Sequence, residues 1–110
     1  MKKQTEQQLQ KSIIDYLRLN GWYVWKNNSV GTYNKKTGGY IPAQTKGVSD
    51  LTAIKDGIVV FIEVKLPNGK QSDDQKKFEA EIITHNGNYK VVNSIEDAIL
   101  LNDFVNQAVY

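Results

Sequence analysis

Apolar residues recur every three or four positions in three segments of the chain, which is the spacing of an amphipathic helix. The first segment shows the pattern most clearly, with Leu9, Ile13 and Leu17 on one face. A serine or threonine opens each segment and can accept hydrogen bonds from free helical N–H groups. The predicted helices run from Thr5 to Asn20, from Ser72 to Asn86 and from Ser94 to Asn106.

Short runs of β-branched and aromatic residues between these helices predict four strands. Two of the runs are joined by Asp56-Gly57, a dipeptide typical of a two-residue hairpin turn. The run after that turn is apolar on both faces, which indicates a central strand. The predicted strands run from Trp22 to Lys26, Val48 to Ile54, Ile58 to Leu66 and Tyr89 to Val92. The expected fold is α/β, with a mixed central sheet flanked by helices in the order α-β-β-β-α-β-α.

The segment from Asn27 to Gly47 shows no regular apolar spacing and is rich in glycine, asparagine and threonine. A loop of this length in a compact domain is usually functional. It has room for one turn of helix or a short hairpin, whose position the pattern does not give. The whole chain, residues 1–110, has the size of a single domain.

The Asp56-Gly57 turn also predicts which residues face each other. With two residues in the turn, pairing continues outward until Asp50 faces Glu63. The two carboxylates would then lie directly opposite, with Cβ atoms about 5 Å apart. Because side chains alternate along a strand, Lys65 shares the face of Glu63. A three-residue turn would shift this register.

Two carboxylates in this arrangement need a cation. Like charges directly opposite destabilise a sheet, and one carboxyl would otherwise take up a proton. Mg²⁺ accepts oxygen ligands, and the Val64 backbone carbonyl would be a further one beside Asp50 and Glu63. A metal there can polarise a phosphoryl oxygen and acidify a water, while Lys65 positions that water or stabilises developing charge. The alternative is an ordinary salt bridge of Lys65 at the end of a sheet.

Two polar residues on the predicted helices are candidates to support this site. Gln75 follows Ser72 by three residues, as in a capping box, and lies on the inward face of its helix. It is predicted either to cap alone or also to contact Lys65 or a phosphate. Glu6 leans inward too, but its place in a first helical turn, where acids favour the helix dipole, makes it structural on spacing alone.

The net charge of +2 is unevenly distributed. Between Asp15 and Asp50 there is no acidic residue, and the window combines lysines with tryptophans and tyrosines. This composition fits a polyanion with stackable bases, whereas the alternative is a solvated loop with ordinary lysines. Trp22 and Trp25 cannot share one face of a strand, so one belongs to the core and the other is available to a base or a partner subunit. The predicted nucleic-acid contacts in this window are Lys26, Lys35, Lys36 and Lys46.

Several functional classes are excluded by composition. The chain has no cysteine, which rules out disulfides and cysteine-bound zinc, and its single histidine argues against a histidine metal site or a Ser-His pair. No apolar run approaches eighteen residues, so no membrane association is expected. The N-terminus lacks the apolar region of a signal peptide. These features predict a cytoplasmic protein, in the host cytoplasm if phage-encoded.

Asp50 followed by Glu63-Val64-Lys65 resembles the PD-(D/E)xK nuclease signature, with Ser49 where a proline often stands. More narrowly, the chain resembles a stand-alone VRR-NUC domain of the kind found in phages and bacteria. The resemblance covers nearly the whole chain, and the ordered set of motifs is more specific than E-x-K alone. The matching segments are Thr5-Glu6, Asn27 to Gly31, Gly47 to Asp50, Glu63 to Lys65, Ser72 to Gln75 with Phe78, Gly87, and Val92 to Asp97.

The resemblance implies a restriction-endonuclease-like core and DNA cleavage that depends on Mg²⁺ or Mn²⁺. Stand-alone members are similar to Holliday-junction resolvases and tend to be homodimers, so branched or four-way-junction DNA and a homodimer are expected. A domain with one site needs two copies to cut two strands symmetrically. By resemblance, the metal ligands are Asp50, Glu63 and the Val64 carbonyl, the catalytic residues are Lys65, Glu6 and Gln75, and Asn28 and Ser49 join the nucleic-acid contacts.

Three other functions compete with this interpretation. The first is a non-specific or end-directed DNA nuclease. The second is a non-catalytic nucleic-acid-binding module on the same fold, against which the intact Asp50, Glu63 and Lys65 argue. The third is a dimerisation domain that uses the helix from Ile95 to Val105, which would leave the basic window unexplained.

Overall fold

The computed structural model of the chain describes residues 3–27, 32–34, 38–41 and 45–109. The predicted α/β fold and its order of main elements are confirmed, and two further short strands lie within the predicted loop. The helices are α1 (Glu6–Leu19), α2 (Asp73–Thr84) and α3 (Ile95–Val109), and the strands are β1 (Tyr23–Lys26), β2 (Thr32–Asn34), β3 (Gly39–Ile41), β4 (Leu51–Lys55), β5 (Ile58–Val64) and β6 (Asn88–Val92).

The main sheet has four strands in the order β1-β4-β5-β6. β4 is antiparallel to both of its neighbours, β1 and β5, whereas β6 runs parallel to β5, so the sheet is mixed as predicted. β5 lies between β4 and β6, which confirms its predicted central position. β2 and β3 form a separate antiparallel hairpin within the predicted loop.

Helices cover both faces of the sheet. Alternate residues of β5, such as Val60 and Ile62, join a core with α1 and α3. The side chain of Phe61 points to the other face of the sheet. There it contacts Phe78 of α2, with ring centroids 5.7 Å apart. Phe78 also lies 6.1 Å from the ring of Tyr89 on β6. The face of the sheet that carries Phe61 is therefore the one covered by α2.

Local capping bonds determine where α1 and α2 begin. Thr5 and Gln8 form the predicted capping box of α1, and Ser72 and Gln75 form that of α2. Each helix starts one residue after its cap, because the cap residue itself is extended. α3 extends three residues beyond its predicted end at Asn106.

The helices are amphipathic, with α3 the most apolar. α3 buries Ala98 and Val105 but leaves Leu100 and Phe104 exposed. Within the described ranges, no helix is both long enough and apolar enough to cross a membrane.

Candidate active site

The hairpin of β4 and β5 has the predicted register. Asp56 and Gly57 both adopt positive φ angles, 52° and 80°, as a two-residue primed turn requires. The pairing runs outward from this turn to Leu51 opposite Ile62. The next position in the same series places Asp50 opposite Glu63. The geometric prediction made from the sequence is therefore confirmed up to the end of the ladder.

β4 begins at Leu51, three residues later than predicted, because side chains replace its last ladder bonds. The Asp50 carboxylate Oδ2 accepts a 2.8 Å hydrogen bond from the Val64 N–H. In this register the Val64 N–H would otherwise bond to the carbonyl of Ser49. That carbonyl instead accepts a 3.1 Å bond from the side-chain amide of Asn27, whose backbone N–H donates to the Asp50 carbonyl at 2.9 Å.

Glu63 is a buried carboxyl in an unfavourable electrostatic position. Its side chain is 1% exposed, and Oε2 has no hydrogen-bond partner among the residues that the structure describes. Burial raises the pKa of Glu63 to about 9, with further contributions from its hydrogen bond to Asp50 and the charge of Asp50. The charge of Lys65 lowers this pKa, and that of Glu6 raises it slightly. Without a bound cation, burial and the neighbouring Asp50 therefore favour the protonated form of Glu63.

Lys65 directly follows β5, which ends two residues earlier than predicted. Its backbone N–H donates to the Val92 carbonyl at 3.1 Å, and its carbonyl accepts a 3.3 Å bond from the Asn93 side chain. A Cβ at Gly69 would lie 3.4 Å from both Cβ and Cδ of Lys65, so the lysine stem lies along that glycine. The half-buried stem and the anchored backbone limit where the ammonium group can go.

The carbonyl of Val64 points toward the site. The N–H of Lys65 faces Val92 on β6, and in a trans peptide the preceding carbonyl points the opposite way. The Val64 carbonyl therefore projects toward β4, on the side where its own N–H meets Asp50. Its role as a metal ligand remains a prediction.

The backbone of Gly47, in the loop that leads to Asp50, lies against the start of α2 and so brings Gln75 near that loop. Gly47 has a φ of 72°, and a Cβ there would lie 2.1 Å from the carbonyl oxygen of Asp74. Gln75 Oε1 accepts a 2.8 Å bond from the Ser72 N–H, so its predicted capping role is confirmed. A contact with Lys65 or a phosphate stays a prediction and would use the amide nitrogen Nε2.

Glu6 occupies the first turn of α1, where its side chain is exposed rather than turned inward. Its charge still contributes to the raised pKa of Glu63, which places it on the side of the molecule that holds the carboxylates. Glu6 is therefore a peripheral neighbour of the candidate site in this structure, and its catalytic role stays a prediction.

The predicted nucleic-acid contacts fall into three groups. Lys26 and Lys46 are exposed, and Lys26 lines a shallow cleft between α1 and β1 together with Lys11 and Arg18.

Ser49 is fully buried and its hydroxyl donates to the Leu51 carbonyl at 3.0 Å. Ser49 thus has no surface from which to contact DNA, and this prediction is corrected. Asn28, Lys35 and Lys36 lie outside the described residues.

Some residues around the site were not singled out by sequence reasoning. Asn27 was assigned to a loop that resembles a family segment but to no role of its own, yet its amide also donates to the Thr52 hydroxyl at 2.7 Å. Tyr89 accepts a 3.1 Å bond from Gln71, and burial together with the charge of Glu63 raises the pKa of Tyr89 to about 12. The position of Asn27 directly after a strand was the available signal, whereas no spacing pattern marks Gln71 or Tyr89.

The donor set fits a hard divalent cation with a partly aqueous coordination shell. In the described part of the chain, no group of three or more histidine, aspartate or glutamate side chains gathers into a ready-made metal site. The available protein ligands are two opposed carboxylates and the Val64 carbonyl, all oxygen donors. Oε2 of Glu63, which has no hydrogen-bond partner among the described residues, is available to coordinate a cation. Mg²⁺ is commonly bound by one or two carboxylates and several waters.

Comparison with known proteins identifies the family. The model of the VRR-NUC domain matches residues 4–96. The chain belongs to the VRR-NUC family. A solved chain described as a VRR-NUC domain is similar in fold, with a TM-score of 0.67 and 24% identity over 89% of this chain and 94% of that chain. No curated protein matches the sequence. Membership of the VRR-NUC family implies a nuclease-type fold and a DNA substrate.

Proposed function

We propose that this VRR-NUC domain is a DNA endonuclease that hydrolyses phosphodiester bonds with Mg²⁺ or Mn²⁺. The metal ligands would be Asp50, Glu63 and the carbonyl of Val64. The observation that carries the proposal is the buried Glu63 carboxyl opposite Asp50, with Oε2 unpartnered and the pKa raised to about 9. Burying a carboxyl without full hydrogen bonding is unfavourable for folding, so a ligand is its best physical explanation.

The bound metal would supply a Lewis acid for a phosphoryl oxygen and would lower the pKa of a water. The residues of the chain would do the positioning. The Val64 N–H holds Asp50 in place, and the sheet holds Glu63 opposite it. The ammonium group of Lys65 would stabilise the negative charge that develops on the phosphorus oxygens. Gln75, through Nε2, and Glu6 would act at the edge of the same site.

The finer proposal is that the enzyme selects branched DNA, with a four-way junction as the leading substrate, and works as a homodimer. The described residues contain one pair of opposed carboxylates per chain, so one chain can cut one strand at a time. Two copies related by a twofold axis would present two sites to the two strands of a symmetric substrate.

A purely DNA-binding role on the same fold is less well supported by the site. Two carboxylates facing each other repel phosphate, so a binding module would gain nothing from them. A non-specific or end-directed nuclease would use the same residues, and only substrate choice distinguishes it from the junction-selective enzyme.

The deciding experiment incubates the purified protein with four-way-junction, flap, duplex and single-stranded DNA, each with Mg²⁺, Mn²⁺ or EDTA. We expect internal cuts with metal and none with EDTA, fastest on the junction. No cleavage of any substrate with either metal would exclude the nuclease activity. Equal rates on all four would exclude structure selectivity, and products shortened only from the ends would favour the end-directed alternative.

A further inference from the structure

An exposed aromatic pair lies on the edge strand β1. Tyr23 and Trp25 are two residues apart, so they share one face of the strand, and their ring centroids are 5.4 Å apart in an edge-to-face arrangement. Their side chains are 71% and 42% exposed. The neighbouring Trp22 points to the other side, is 4% exposed and donates to Asn102. Trp22 is therefore the core tryptophan, and Trp25 is the one available to a ligand.

The pair lies on the same face of the sheet as the candidate metal ligands. Trp25 is paired with Thr52, and Thr52 is two residues from Asp50 in the chain. Side chains two residues apart share a face, so Trp25, Asp50 and Glu63 share one face of the sheet. Two residues of strand rise and one spacing between strands place the Cα atoms of Trp25 and Asp50 about 8 Å apart.

This position and chemistry fit a nucleobase. Aromatic side chains stack on the flat faces of bases that are not already stacked in a duplex. Successive phosphates of one DNA strand rise about 3.4 Å along the helix axis. An unpaired strand extends further per nucleotide than a duplex strand, so a distance of about 8 Å corresponds to a base about one to three nucleotides from a phosphate held near Asp50.

We propose that Trp25, supported by the edge of the Tyr23 ring, stacks on an unpaired base close to the scissile phosphate. The domain would thereby select DNA with an unpaired segment at the cut. This inference rests on the proposed nuclease function, because it places the base relative to that site. A base inside a duplex offers no free face for Trp25, so intact duplex would gain nothing from this contact.

Base stacking can be separated from phosphate binding without any catalysis. Affinity is measured in EDTA for a labelled thymidine oligomer and for an abasic oligomer with the same number of phosphates. The wild type is expected to bind the thymidine oligomer about tenfold more tightly. Trp25→Ala should lose this preference, and Trp25→Phe should keep most of it. Phe104→Ala removes an exposed aromatic from α3, and it should behave as wild type.

Two binding results would overturn the stacking role. One is an unchanged preference for the thymidine oligomer in Trp25→Ala, and the other is an equal loss of affinity for both oligomers. Sedimentation of the same variants tests the competing occupant, a second copy of the chain. If Trp25→Ala dissociates a dimer while its base preference is unchanged, the pair is an interface between copies and the proposal fails.

Cleavage assays then separate this inference from the proposed function. If the wild type cuts DNA, Trp25→Ala should slow cutting of substrates with unpaired bases about tenfold and leave duplex cutting unchanged. Equal slowing on both kinds of substrate would contradict base selection. If the wild type cuts nothing, the nuclease proposal fails, and the oligomer preference still decides whether Trp25 stacks on bases.

Discussion

The Asp50 carboxylate takes the place of a backbone acceptor at the end of the β4–β5 ladder, where Oδ2 accepts a 2.8 Å hydrogen bond from the Val64 N–H. This single bond fixes the carboxylate opposite Glu63. It also gives Asp50 two roles that substitutions can separate, because the hydrogen bond needs only an acceptor whereas a metal ligand needs the charge.

Asp50→Asn and Asp50→Ala should therefore differ in stability but agree in metal response. Alanine leaves the Val64 N–H unpaired and should reduce the free energy of unfolding by about 1–3 kcal/mol. Asparagine keeps an acceptor and should cost much less, although both variants should lose Mg²⁺-dependent stabilisation and cleavage. Urea unfolding with and without Mg²⁺ measures both effects. A full metal response in Asp50→Asn would show that the Asp50 charge is not needed for metal binding.

The raised pKa of Glu63 predicts how stability changes with pH when no metal is present. The unfolded chain releases this proton near the ordinary value of 4.5, whereas the folded protein keeps it up to about 9. Between these values the folded state binds more protons, so the free energy of unfolding falls as pH rises. Thermal unfolding in EDTA from pH 5 to pH 9 should show this fall, and Glu63→Gln should reduce it.

Metal addition provides the control for that experiment. A cation bound to Glu63 competes with the proton, so Mg²⁺ should raise the midpoint of unfolding more at pH 8 than at pH 6. Glu63→Gln should show little metal response at either pH. Parallel pH profiles for the wild type and Glu63→Gln in EDTA would contradict the assignment of the raised pKa to Glu63.

Lys65→Met tests the proposed role of the ammonium group while keeping the stem that lies along Gly69. Loss of one electrostatic stabiliser of the transition state should lower kcat about 10²–10³-fold. DNA affinity in EDTA and the free energy of unfolding should change little, since a single charge contributes modestly to either and methionine keeps the packing of the stem. Cleavage that continues at the wild-type rate would remove Lys65 from the catalytic residues.

The register of the site could be predicted from the sequence because it depends on local chemistry. Asp56-Gly57 specifies a two-residue turn, and strict alternation then places Asp50 opposite Glu63. The three helices were equally predictable, since their apolar spacing and capping residues lie within each segment. These features require no knowledge of contacts between distant residues.

The details at the end of the ladder depend on contacts across the fold. The Asn27 side chain binds the Ser49 carbonyl, twenty-two residues away in the chain, and this bond helps to make β4 begin at Leu51 rather than earlier. Ser49 is buried, and its hydroxyl is satisfied locally by the Leu51 carbonyl rather than by solvent or a ligand. Glu6 shares the helical spacing of inward residues, yet it lies in the first turn, where the side chain reaches solvent. Spacing alone does not distinguish these outcomes.

Gly47 should tolerate no side chain, because a Cβ there would clash with Asp74 and its positive φ adds a conformational cost. A Cβ would meet the Asp74 carbonyl oxygen at 2.1 Å, so Gly47→Ala must move the first turn of α2. We expect a loss of more than about 3 kcal/mol, a size diagnostic of overpacking and backbone strain. Gly57→Ala is the matched control: φ is also positive, at 80°, but nothing lies within 4 Å of the added Cβ.

Chemical denaturation compares the two glycine variants directly. Gly57→Ala should cost only about 1 kcal/mol, the conformational penalty of a left-handed residue. Because Gly47 packs against α2 beside Gln75, its variant should also impair cleavage when folded, whereas Gly57→Ala should not. Similar losses of stability in both variants would show that the contact with Asp74 contributes nothing beyond the backbone angle.

Lys26 should contribute to DNA binding through a phosphate, which makes its effect depend on salt. Removing one phosphate contact reduces the slope of log affinity against log salt concentration by about 1. Lys26→Ala should show this change for every DNA substrate alike, because phosphates carry no sequence information.

Lys90→Ala is the control, since Lys90 is exposed on β6, at the opposite edge of the sheet from β1. Binding titrations in EDTA between about 50 mM and 200 mM salt, a range in which phosphate contacts strongly affect affinity, measure both slopes. An unchanged slope in Lys26→Ala, or an equal change in Lys90→Ala, would place the DNA backbone elsewhere than along β1.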